Sequence, residues 1–75
     1  MSKEKQDVAM FVSFCIEQYK TAKDISGEEA MRILSHYGVL EYLEECYDVL
    51  HTQGHRWLLE EMDEFISLRR KEGMK

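Results

Sequence analysis

Seventy-five residues leave room for one domain, because two cores would each fall below the size at which burial outweighs chain entropy. A content of 44% hydrophobic and 33% charged residues, with no proline and four glycines, excludes a disordered chain and favours helices. The formal charge of −5 repels phosphate backbones, so nucleic acid is not an expected partner.

The opening seven residues are charged, and the apolar run behind them, Val8–Phe14, is interrupted by Ser13. It is too short for a membrane span, and the opening lacks the pattern of a secretory leader. Cys15 and Cys46 are too few for a disulfide framework and lack metal-type spacing. Both fall at apolar helix positions, which suits a reducing, cytoplasmic setting.

In the first segment Val8, Phe11, Val12, Cys15, Ile16, Tyr19 and Ala22 recur at steps of three and four, the stripe of an amphipathic helix. The helix is expected to start near Lys3–Gln6, with Glu4 and Asp7 favouring its positive end, and to end around Lys20–Lys23. Ser26 and Glu29 have the spacing of a capping box, and Ile25 can staple onto Ala30. The second helix then buries Ala30, Ile33, Leu34 and Tyr37, and Gly38 closes it in the left-handed region.

A third helix is expected over about Val39–Thr52, with Val39, Leu40, Leu43, Cys46, Tyr47 and Leu50 inward and Glu41, Glu44, Glu45 and Asp48 outward. Gly54 is expected to end it as Gly38 ends the second. The fourth begins at His55–Trp57, buries Leu58, Leu59, Met62, Phe65 and Ile66, and closes on Arg69–Lys71, whose cations suit a helix C-terminus. With short connections throughout, residues 1–75 are expected to form one all-α domain, a compact bundle of about four short helices.

Three functional readings can be weighed on these residues. Helix-turn-helix DNA binding would use the third helix, but that helix presents four carboxylates and no arginine. Metal binding would use His51 and His55, four apart, yet Gly54 separates them and no third ligand is placed. Acid–base chemistry would use Asp48 and His51, three apart on one helix, but a nucleophile and an oxyanion donor are missing. Glu60, Glu61, Asp63 and Glu64 read as the solvated face of the fourth helix. No cofactor is expected, and His36 and His51 read as helix-end histidines that meet free carbonyls.

Tyr47-Asp48-Val49-Leu50-His51-Thr52-Gln53-Gly54 resembles a family of small bacterial proteins known as domain of unknown function 3791. Phe11–Glu17, Ser26-Gly27, Tyr37–Leu40 and Met62–Ile66 are also similar to that family, so the resemblance spans about residues 7–68. It implies no activity and no catalytic residues. Genes of the family often lie beside genes for proteins that look like ADP-ribosyltransferases, a neighbourhood that implies an accessory, antitoxin or immunity role. At the residue level, Tyr47, Asp48, Leu50, His51, Thr52 and Gly54 describe a closely specified helix end: Leu50 anchors it, and His51 and Thr52 bond local backbone.

On the first helix, Met10 and Phe14 lie four apart and point about 120–160° away from the centre of the apolar stripe. Two large apolar side chains on a solvent face mark an interface. The function expected is therefore that of a non-enzymatic protein–protein interaction module, a homodimer first and a heteromer second. A small enzyme or metal protein using Asp48, His51 and His55 is the alternative, and a DNA-binding regulator the third.

Overall fold

The computed structural model describes residues 3–73, all of them in helices, turns or short links. Five helices follow in chain order: α1 (Lys3–Lys23), α2 (Gly27–His36), α3 (Val39–Glu45), α4 (Tyr47–Leu50) and α5 (His55–Lys71). The all-α bundle expected from the sequence is present. It measures 37 × 24 × 22 Å, and α1 sets its long dimension.

The stripe on α1 turns Cys15 and Tyr19 fully inward and packs Phe11, Val12 and Ile16 against the core. Ala22, expected inward, is exposed, because the last turn of α1 runs out into the link to α2. The side chain of Glu4 lies outside the described residues. The helix closes with two backbone bonds, Ile25 N–H to Lys20 O at 3.1 Å and Asp24 N–H to Thr21 O at 3.3 Å. This is the paired bonding of a Schellman end, with Asp24 at φ 55° where glycine is the usual residue. Ile25, the next residue, packs on the core.

Ser26 caps α2 as expected: its backbone is extended and its Oγ accepts the Glu29 N–H at 3.1 Å. The other half of the capping box is absent. The Glu29 carboxylate takes the Arg32 guanidinium, one turn on, since a charged partner outcompetes a backbone amide for the same oxygen. Gly38 stands at φ 76°, as expected, and turns the chain from α2 into α3 within two residues.

The expected third helix is broken. At Cys46 the backbone opens to φ −104°, ψ 19°, and the Cys46 carbonyl accepts from both Val49 (3.1 Å) and Leu50 (2.9 Å). Neither proline nor glycine marks the break. Its physical setting is that the two halves pack on different partners. Tyr42 of α3 stacks on Phe65 of α5 at 4.8 Å, whereas Tyr47 of α4 meets Phe11 of α1 edge-on at 5.5 Å. Regular helix ends at Leu50 rather than Thr52.

Gly54 corrects a second expectation. It lies at φ −72°, ψ 159°, an extended conformation open to any residue, and serves as the N-cap of α5 rather than a left-handed end of the helix before it. The chain leaves α4 through ordinary right-handed turns at His51, so no positive φ is needed there.

Leu34, Leu43, Leu58, Met62, Val39 and Cys15 form the driest part of the core, drawing on α1, α2, α3 and α5. Each large aliphatic side chain so buried contributes about 1.5–3 kcal/mol. Among the described residues no buried side-chain polar atom lacks a partner.

Candidate functional site

The segment Tyr47–Gly54 is built around two anchors. Leu50 is buried, and Tyr47 rests its ring on Phe11. Beyond Leu50 the chain is exposed, and its polar side chains fold back onto the helix that precedes them. His51 Nδ1 lies 2.7 Å from the Tyr47 carbonyl oxygen, and its ring stacks on that of Tyr47 with 4.4 Å between centroids. Thr52 Oγ1 donates to the Val49 carbonyl at 2.8 Å. Both bonds go to local backbone, as the sequence led one to expect.

An acid–base pair would need Asp48 to hold the imidazole through Nδ1–H. That nitrogen instead faces the Tyr47 carbonyl, and Asp48 is exposed on the outer face of α4. His55 is the first residue of α5, so His51 and His55 stand on opposite sides of a turn and not on one helical face. Among the described residues no three His, Cys, Asp or Glu side chains converge as a metal site would require. Glu41, Glu44, Glu45 and Asp48 are exposed along α3 and α4.

Met10 and Phe14 do stand on the outer face of α1, 72% and 44% exposed. Trp57 and Leu68 of α5, Val49 of α4 and Met31 of α2 are exposed as well, so Trp57 does not form part of the buried core.

A family model described as "Protein of unknown function (DUF3791)" matches residues 10–69. The chain belongs to that family. The match takes in all of α2, α3 and α4 and most of α1 and α5, including every residue of the Tyr47–Gly54 segment. No curated protein and no solved structure matches this DUF3791 chain. No helix among the described residues is long and apolar enough to cross a membrane.

One constellation in this DUF3791 domain escaped the sequence. Arg70, read as a cation capping its own helix, reaches across to α2: its Nε donates to Tyr37 Oη at 3.0 Å, and the guanidinium lies 5.5 Å from the Tyr37 ring centre. Tyr37 is buried at the C-terminal end of α2, where its N–H bonds Ile33 O at 3.2 Å. The two residues are 33 positions apart, and no local spacing signals such a pair.

Proposed function

We propose that this DUF3791 domain is a non-enzymatic interaction module that works as a homodimer through the outer face of α1. The observation that carries the reading is the pair Met10 and Phe14, one helical turn apart and both open to solvent on the longest helix. A single exposed apolar side chain is ordinary, whereas two on one turn form a patch whose burial is favourable. The size of the core supports the same reading, since domains this small gain only about 3–5 kcal/mol from one hydrophobic core. A two-fold pairing of the same patch is the commonest way for one chain to cover such a face.

Sedimentation at micromolar concentration tests the proposal. The wild type is expected at twice the 9.0 kDa chain mass, and Phe14→Glu at the chain mass with its helicity kept. A wild-type species of 9.0 kDa, unaffected by Phe14→Glu, sinks it.

A further inference from the structure

A pocket of about 390 Å³ opens where the C-terminal ends of α2 and α5 meet, lined by Arg32, Ile33, His36, Tyr37 and Arg70. We infer that it binds a phosphomonoester group carried by a small organic molecule. Its volume falls in the range of small-ligand pockets, about 300–1,000 Å³. In a chain of net charge −5, its lining holds two arginines and a histidine and no carboxylate.

The arrangement of donors points to a tetrahedral oxyanion. Arg70 spends Nε on Tyr37 Oη, which fixes the guanidinium plane and leaves its terminal nitrogens to the pocket. Tyr37 is only 6% exposed, and its hydroxyl accepts from Arg70 while its own proton has no acceptor among the described residues. The hydroxyl at the pocket wall thus keeps its own proton for a ligand oxygen. Arg32 of α2 also lines the pocket. One of its terminal nitrogens is held by Glu29, and a guanidinium keeps further donors beyond that pair.

The nearby charges fit this reading. Asp63, the carboxylate that acts on Tyr19, is occupied by Lys23 at 3.0 Å. Glu41 and Glu45 line the adjoining depression, which shares His36 and Tyr37 with this pocket and also holds Phe65 and Arg69. Two helix C-termini disfavour an anion, and the two guanidinium charges must outweigh them. Guanidinium pairs on phosphate are strong, directional contacts and meet that demand. A carboxylate offers only two coplanar oxygens to donors arriving from two helices. Ile33 and the rings of His36 and Tyr37 supply an apolar wall for the organic part of the ligand.

The test is an amide-shift titration of the full chain with inorganic phosphate, phenyl phosphate and acetate at constant ionic strength. Saturable shifts confined to residues 32–38 and 68–72 are expected with both phosphates, tighter for phenyl phosphate. Arg70→Gln should weaken binding roughly tenfold or more, as loss of a charge-assisted bond does. Tyr37→Phe, which keeps the ring, should weaken it several-fold. Arg69→Gln, a neighbouring cation outside the pocket, should leave affinity within about twofold.

Equal losses from Arg69→Gln and Arg70→Gln would reveal diffuse charge attraction and overturn the site. So would acetate binding as tightly as phosphate, or an absence of saturation. Running the titration on Phe14→Glu separates this site from the dimer reading, because the pocket lies within one chain.

Discussion

The imidazole of His51 lies nearly parallel to the phenol ring of Tyr47, 13° between planes, while its Nδ1 faces the Tyr47 carbonyl at 2.7 Å. A carbonyl only accepts, so Nδ1 carries the proton and Nε2 points outward. One side chain thus stacks on and hydrogen-bonds the residue one turn before it, and the helix end is closed without a left-handed residue.

His51→Ala should therefore destabilise the domain by about 0.5–1.5 kcal/mol, the worth of one hydrogen bond and its stacking. Asp48→Ala should change stability by less than about 0.5 kcal/mol, as exposed substitutions do. Urea unfolding of the two variants checks this. Equal, large losses would mean that Asp48 and His51 act as a unit.

Gly38 and Gly54 should respond in opposite ways. At φ 76°, Gly38→Ala places a side chain in the left-handed region and should cost about 1–2 kcal/mol. At Gly54 an added Cβ meets nothing within 4 Å, so Gly54→Ala should lie within about 0.5 kcal/mol of wild type. Gly54→Asp should be more stable by roughly 0.5–1.5 kcal/mol. It would supply a side-chain cap that α5 lacks, and a negative charge beside a first turn that holds His55 and Arg56 and no acid. Thermal midpoints of the three variants rank them directly.

Asp24 is a stabilisable position. It holds φ 55° without glycine's freedom and sets a carboxylate at the negative end of α1. Asp24→Gly should raise stability by roughly 0.5–1 kcal/mol after the extra unfolded-state entropy of glycine is deducted. A midpoint lowered by this change would show that the aspartate side chain contributes more than its backbone conformation costs.

Alkaline pH should weaken the fold through Cys15. Burial pushes its thiol up from 9.0 to about 11. The raised folded value means that its contribution is fully present below pH 9.0 and is lost as pH climbs through about 11. Tyr42 acts in the same direction, pushed up from 10.0 to about 12 by burial and by its hydrogen bond to Glu61. Urea midpoints should fall above pH 9 in the wild type and less steeply in Tyr42→Phe. Below pH 9, a thiol reagent should label half-buried Cys46 well before Cys15.

Periodicity made most of this fold legible. The stripes on α2 and α5 pack into the core residue for residue, and that on α1 does so from Phe11 to Tyr19, because steps of three and four leave one choice of inward face. Ser26 and Gly38 were readable because an N-cap and a left-handed turn each demand a particular side chain. The break at Cys46 was not, since it is imposed by what Tyr42 and Tyr47 pack against and not by any breaker residue. Gly54 misled for the converse reason: glycine permits a left-handed turn without requiring one. In the candidate segment, the local bonds of His51 and Thr52 follow from sequence, whereas the Tyr37–Arg70 pair belongs to tertiary structure alone.

The connections between helices are brief: residues 24–26, 37–38, 46 and 51–54. Closing links of that length costs little chain entropy, so neighbouring helices find one another almost as soon as they form. The distant meetings bring the later helices back: Phe11 of α1 meets Tyr47 of α4, Tyr37 pairs with Arg70 across 33 residues, and Lys23 pairs with Asp63 across 40. The chain contains no proline, so its unfolded state carries no slow cis–trans population to sort. In the Phe14→Glu chain, which is expected not to pair, refolding should run as one fast exponential phase whose rate is set by the docking of α4 and α5.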